Sequence, residues 1–512
     1  MRAKNVAKNS FFSVFSQVLI IFAGFFSQRV INVKLGTELV GLNGVISNVI
    51  MVFSVSELGI STAIVFHLYQ ALSIGEEKRI AALMNLYRRA YYAVAGTMLT
   101  LGLGFLPFIH LLMKENHFST AYIRLIYGLW LIRTVLGYFL SYKRSIVIAD
   151  QKEYVTSLAT MAISIFNYLS IIMIVTLWND YVMALIFGIV FEEIVNVLLI
   201  CYVNKHYPYL KQYSKIKVDK EKRGKIFSDI KNLFVTRVAQ KLLSSTDNII
   251  MSVFISLSTV GFYANYCLIT QSLINIMQAL SNALQPTVGN LAVENKKDRD
   301  EDLLHSFTLV FFFLSSIIMA GVAGMASLFV SDIWLGKEFV LSARTVYFCA
   351  FNCMLYIMIL PIGVFISVSG LFRQEKIVSF LAAILNLVIS LLLVRELGII
   401  GVLIGTTVAY VTLFVGKAYF YFQQHLKRVA WSYMCYMAGY VLLASLEALM
   451  AQKAAALIYG EGGLMRFILA GISCVMIPAF CNLLVLGRGK HTKQTIEFVR
   501  NYKRHTQQNE SV

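Results

Sequence analysis

Long apolar runs separated by short polar connections set the pattern of this chain. A membrane-spanning helix needs about 20 mostly apolar residues. Fourteen such runs are centred near residues 20, 55, 100, 133, 165, 192, 243, 272, 316, 356, 385, 410, 440 and 475. They are continuous rather than alternating ten-residue strands, so they predict helices and exclude a β-barrel. The expected fold is an all-α polytopic membrane protein of about 14 transmembrane helices. Connections are short apart from Lys205–Ser228.

Composition agrees with the pattern. Of 512 residues, 58% are hydrophobic and only 14% charged, and mean hydropathy is +0.70. Soluble domains carry about 25% charged residues, so an ordinary soluble enzyme, a disordered chain and a fibrous repeat are excluded. The net charge of +18 would suit nucleic-acid binding in a soluble protein. Here it reads as a positive cytoplasmic surface, with no nucleic-acid partner. With the N-terminus inside, most of the 45 basic residues fall on inward segments. Outward loops keep only Lys34, Lys114, Lys337, Arg395 and Lys453. That bias predicts a multi-pass protein of the cell (cytoplasmic) membrane with both termini cytoplasmic. The seven cysteines lie within or at the ends of apolar runs and form no C-x-x-C pair, so they read as packing residues. No metal or cofactor is expected.

The sequence repeats itself at a spacing of 220. Leu35–Ile50, LGTELVGLNGVISNVI, resembles Ile255–Thr270, ISLSTVGFYANYCLIT. Both copies are expected in the hairpin between the first and second helix of a six-helix unit. Six helices per unit make the two lobes parallel, related by a pseudo-twofold along the membrane normal. The expected organisation is an N-terminal lobe over 1–205, a basic cytoplasmic linker over 206–228 and a C-terminal lobe over 229–426. An extra helix pair over 427–487 and a basic cytoplasmic tail over 488–512 complete it.

Charge inside a membrane is costly, by about 2.5–3.5 kcal/mol on insertion scales, so mid-depth charges are functional candidates. Glu57, Arg133, Glu192, Glu193, Arg237, Lys241 and Asp247 are of this kind. Arg29, Arg124, Arg344, Arg466 and Lys417 lie near helix ends, where long side chains snorkel to the interface. Arg29 stands out among them, following Ser27 and Gln28. Arg237, Lys241, Ser244, Ser245 and Asn248 share an arc of about 100° on the seventh helix. Such a stripe suits phosphate oxygens, Arg as a fork and Lys as a point charge. A salt bridge to Asp247, Glu57 or the Glu192–Glu193 pair explains the same residues. Gln271, Asn275, Gln278, Asn282 and Gln285 line one face of the eighth helix, and amides that donate and accept at once suit sugar hydroxyls. Asn43, Ser47, Ser54, Glu57 and Ser61 form a similar face on the second helix. Glu57, Asp247 or the Glu192–Glu193 pair can also take up H⁺ or Na⁺ as a coupling ion. The acidic run Asp298–Asp302 reads as a solvated inner loop. No P-loop, G-x-S-x-G or H-E-x-x-H occurs, so neither an ATPase domain nor a catalytic site is expected.

Five segments carry a resemblance. They are SELGISTAIVFHLYQAL (Ser56–Leu72) with LMNLYRRAYY (Leu83–Tyr92), STDNIIMSVFISLSTVGFYANYCLI (Ser245–Ile269) with LQPTVGNL (Leu284–Leu291), and LGIIGVLIGTTVAY (Leu397–Tyr410). In order and spacing they resemble the oligosaccharide (O-antigen, capsule and exopolysaccharide) flippases of the multidrug/oligosaccharidyl-lipid/polysaccharide exporter superfamily. The resemblance implies two six-helix lobes around a cavity that works by alternating access. It implies translocation of undecaprenyl-diphosphate-linked oligosaccharide between leaflets, with membrane lipids, a polysaccharide polymerase and glycosyltransferases as partners.

Carried onto this chain, the implied diphosphate site is Arg29, Arg133, Arg237 and Lys241. Asn43, Ser244, Asn248, Gln271, Asn275, Gln278 and Asn282 form the sugar-facing wall. A multidrug/cation antiporter or a lipid II flippase of the same superfamily is the alternative. A membrane polysaccharide polymerase fits less well, because its chemistry needs a sizeable outer loop and the longest here is about 451–463. The cationic stripe generates a test. Replacing Arg237 and Lys241 together by Ala is expected to abolish lipid-linked glycan export while expression persists, read as surface polysaccharide in complemented cells. Normal export from the double variant overturns the diphosphate role.

Overall fold

The computed structural model describes residues 2–54, 60–114, 116–150, 152–219, 224, 238, 245–292, 297–460, 462–487 and 492. Every regular element among them is helical. The chain forms two compact units, Met1–Ala264 and Asn265–Val512. Among the described residues, ten helices are long and apolar enough to cross a membrane. Leu457, Leu464, Leu392 and Leu177 stand 84%, 72%, 70% and 66% exposed. Leucines this exposed need hydrocarbon as their solvent. The protein is therefore a multi-pass membrane protein, as the pattern predicts.

The first unit contains α1 (Arg2–Leu35), α2 (Thr37–Phe53), α3 (Ile60–Ile74), α4 (Glu77–Phe105) and α5 (Thr120–Ser141). The short α6 (Arg144–Ala149), α7 (Glu153–Trp178), α8 (Tyr181–His206) and the single turn α9 (Tyr209–Gln212) follow. Then come the helical stretch 245–254 and the start of α10 (Leu257–Ala292). Local chemistry sets several boundaries. α1 and α2 are joined by Gly36 alone, at φ +88°, which a residue with a Cβ adopts only under strain. Asn179 closes α7 in the left-handed region at φ +54°. Asp180 then opens α8, its carboxylate accepting from the Met183 N–H at 3.0 Å. Such a cap contributes about 1 kcal/mol.

Each copy of the repeat begins at a turn, Gly36 between α1 and α2 and Ile255–Ser256 ahead of α10, and the rest of it is helix, from Thr37 and from Leu257. The two copies cross each other. A Cβ on Gly41 would meet the Leu257 carbonyl, and a Cβ on Gly261 would meet the Thr37 carbonyl. Ser258 donates to Glu38 at 3.2 Å, across the same separation of 220 residues. The two glycine contacts map onto each other through the repeat, and Glu38–Ser258 joins equivalent positions, so the crossing is a local twofold built on two glycines. Small residues let helix backbones approach where hydrocarbon supplies no hydrophobic drive. The linker begins by docking on the unit: Asn85 of α4 donates to the carbonyls of Tyr213 and Ile216 at 3.0 and 3.1 Å.

The second unit contains most of α10, then α11 (Lys297–Leu328), α12 (Ala343–Val368), α13 (Phe372–Leu397), α14 (Ile399–Phe420), α15 (Trp431–Tyr459) and α16 (Leu464–Leu486). α11 is central: α12, α15 and α16 all pack on it. α13 and α14 form a tight hairpin turned by Gly398 at φ +58°. In α14, Gly401 lies against the Leu393 backbone and Gly405 against Ser390. Asn386 donates to Thr406 at 3.1 Å, and Asn352 of α12 donates to the Leu403 carbonyl at 2.9 Å. The segment LGIIGVLIGTTVAY is thus a helix-packing device.

The acidic run is not a loop. Asp300 and Glu301 lie in the first turns of α11, where carboxylates suit the helix dipole. They pair with His425 at 3.2 Å and with Arg428. Lys417 does not reach an interface either. It is 8% exposed and pairs with Glu375 at 2.8 Å, in space left by Gly363.

Overpacking a close crossing costs about 1–3 kcal/mol. Gly41→Ala and Gly261→Ala are each expected to lower the thermal midpoint in detergent by that order. Gly96→Ala, on an exposed helical face with nothing within 4 Å, is expected to leave it unchanged or raise it, since helical Ala exceeds Gly by roughly 0.5–1 kcal/mol.

Candidate functional site

In the first unit a polar chain runs along α8 from Tyr181 to Asn196, about 22 Å at 1.5 Å per residue. Its first knot joins three helices. Trp130 of α5 donates its indole N–H to Asn43 of α2 at 3.1 Å, and the Tyr181 hydroxyl of α8 lies beside both. One turn along α5 from Trp130, Arg133 bonds through Nε to Glu192 of α8 at 2.7 Å. Its guanidinium lies 5.4 Å from the Trp130 ring. Each partner is only about a fifth exposed (21% and 20%), so the pair is shielded from water without being sealed from it.

The last knot is Glu193, Asn196 and Arg144. Asn196 donates to Glu193 at 3.2 Å and accepts from Arg144 Nη2 at 2.7 Å. Among the described residues, Glu193 Oε1 and Arg144 Nε find no partner. Burial pulls Arg144 below the usual guanidinium range, while Glu192 and Glu193 hold it up. At the linker, burial pushes the Tyr209 hydroxyl up to about 12, with Glu77 and Asp150 adding to it. Tyr207 donates to Asp150 at 2.7 Å, which Lys152 neutralises at 2.7 Å.

The structure thus pairs the predicted residues Arg133 and Glu192, places Glu193 in the neighbouring cluster on α8, and holds Asn43 in the knot at Trp130. Arg29 is exposed on α1. Asp247 and Asn248 are half-buried in the helical stretch 245–254. The Asn248 side-chain oxygen has no partner among the described residues. Arg237, Lys241, Ser244 and Glu57 lie outside the described residues.

In the second unit the amide stripe of α10 is partly engaged. Gln271 donates to Asn275 at 2.9 Å, and Gln278 donates to Tyr356 at 2.6 Å. Gln271 and Asn282 are exposed. Exposed amides need water or a polar ligand, since hydrocarbon leaves them unsatisfied.

Other contributing residues escape a reading confined to charge. Trp130 and Tyr356 are apolar bodies with one polar atom, and Asn196 is a lone amide. Glu447 of α15 is a mid-depth acid with the same signal as the seven singled out, and it is buried.

Solved structures share this architecture. The lipid II flippase MurJ, in an inward closed conformation, superposes with a TM-score of 0.69 at 13% identity, covering 93% of this chain and 98% of its own. The chain has the fold of MurJ and of the MATE transporters. An inward-facing multidrug resistance MATE family transporter of the MOP superfamily gives 0.62 at 13% identity, covering 80% and 97%. A variant of the Vibrio cholerae MATE transporter VcmN gives 0.58 at 15% identity, covering 83% and 98%. No family model and no curated protein matches the sequence. Identities this low establish the fold alone. These neighbours of the MurJ and MATE fold are flippases and transporters, not enzymes.

Removing one member of a shielded ion pair strands the other. Arg133→Gln or Glu192→Gln alone is therefore expected to lower the thermal midpoint more than the double variant does. The coupling read from that cycle is expected at about 0.5–3 kcal/mol. Strict additivity would mean the pair is not formed.

Proposed function

We propose that this protein is a flippase for undecaprenyl-diphosphate-linked oligosaccharide, moving it from the inner to the outer leaflet of the cytoplasmic membrane by alternating access. The observation that carries the reading is coverage. A flippase of a lipid-linked substrate matches 93% of the chain, against 80–83% for the MATE transporters above. The chemistry supports it. Arg133 is held through Nε, an orientation that suits its Nη atoms to phosphate oxygens. Arg237 and Lys241 would add charge on the seventh helix, with Arg29 near a helix end. The exposed amides of α10 suit sugar hydroxyls. On this reading both termini face the cytoplasm, and glycosyltransferases and a polymerase act before and after transport.

Cation antiport is the second reading, favoured by the MATE neighbours and by the acids Glu192 and Glu193. Proteoliposomes separate the two. The purified protein is expected to accelerate transbilayer movement of a fluorescent undecaprenyl-diphosphate oligosaccharide, with little efflux of ethidium. Ethidium efflux without lipid movement would replace the flippase reading by antiport. Movement of lipid II in preference to other lipid-linked glycans would narrow the substrate to that lipid.

A further inference from the structure

The second unit contains a carboxyl group that no ion pair uses. Glu447 of α15 is 1% exposed. Ala444, Ala448 and Ala451 on its own helix are fully buried. Neither carboxylate oxygen receives a hydrogen bond among the described residues. Its polar neighbours are few: Ser316 of α11 approaches it, and Cys481 of α16 faces it. Asn482 of α16 is 2% exposed. It donates to Ser316 at 2.8 Å, while its own side-chain oxygen receives nothing. Three helices therefore surround a carboxyl group that meets no cation and accepts no hydrogen bond among the described residues. An uncompensated carboxylate in such a place is prohibitively costly, so a bound proton stabilises the group. That proton removes the charge and turns one acceptor oxygen into a donor.

A cleft approaches to about one turn from this group. A cleft of about 410 Å³ between α15 and α16 is lined by Ser432, Cys435, Tyr436, Gly439, Leu443 and Val485, among others. Leu443 lies one turn from Glu447, and Val485 about one turn from Asn482. The opposing face of α11 carries Glu301, His305, Thr308, Phe312 and Ser316, spaced as successive turns of one face. His305 lies 5.6 Å from the Tyr436 ring, Thr308 bonds Tyr433 at 2.9 Å, and Phe312 stacks on Tyr440 at 4.4 Å. Polar and aromatic residues of α11 thus pack on the tyrosines of α15, two of which, Tyr436 and Tyr440, line the cleft.

We propose that Glu447 is a proton-binding site that exchanges with water through the cleft between α15 and α16. Its use as a coupling site rests on the transporter reading; the site itself does not. Carbodiimides modify protonated carboxyl groups, so the full-length protein in detergent is treated with a water-soluble carbodiimide plus an amine and mapped by peptide mass spectrometry. Glu447 is expected to be modified, and Glu447→Gln to abolish that product. The rate is expected to fall toward about tenfold per pH unit above the carboxyl's pKa. Gly439 lines the cleft and has nothing within 4 Å of its Cβ direction, so Gly439→Phe is expected to fold and to slow the water-soluble reagent at least about tenfold. A membrane-soluble carbodiimide is expected to react with it as with the wild type. No modification at any pH, or a pH-independent rate, overturns the site. Suppression by Na⁺ at constant pH overturns the proton as its ligand. An unchanged rate in Gly439→Phe overturns the route. None of these readouts depends on lipid movement, so failure of the flippase assay leaves them standing.

Discussion

Within hydrocarbon, a polar group has no water to fall back on. That constraint decides which side chains lie inside this protein and what each must touch. Arg133 has Glu192, Lys417 has Glu375 and Asn386 has Thr406. Each pair ties two helices at one register, because sliding either helix strands a charge or an amide. Polar residues here set which helix lies beside which, while the apolar majority only licenses burial in lipid.

Lipid also removes the hydrophobic drive that joins helices in water. Close backbone approach takes its place. At Gly41 and Gly261, and again at Gly401 and Gly405, the missing Cβ lets backbones approach one another. Dispersion is small per atom pair and large over a helix length, so the glycines act through what they let their neighbours touch. The repeat at 220 residues preserves this property: both copies keep a glycine at the position where they cross.

Helix number and class are legible because about 20 apolar residues leave a chain few options. The amide stripe on α10 is legible for the same reason, since period and polarity coincide from Gln271 to Asn282. Boundaries are less so. Hydropathy averages over a window, whereas the join of α1 and α2 depends on a single left-handed glycine. The pairing of Asp300 with His425 and of Lys417 with Glu375 depends on residues 125 and 42 positions apart, and no local pattern carries such a distance. Glu447 shows the converse. Its depth is readable, but its lack of a partner is a property of three packed helices and exists only in the fold.

That difference separates the two polar networks by what they can do. A carboxylate held by a guanidinium, as Glu192 is by Arg133, has its partner built into the fold. Such a pair is a fixed element: it holds α5 to α8 at one register. A carboxyl with no cation, as at Glu447, has its charge set by the proton alone. Losing that proton places an uncompensated charge among alanines, against α11 and α16. The helices must then admit water, shift, or recover the proton. A change of charge becomes a change of packing without any further ligand. The fixed network suits substrate positioning and the protonable one suits the drive between states, and each lies in a unit of its own.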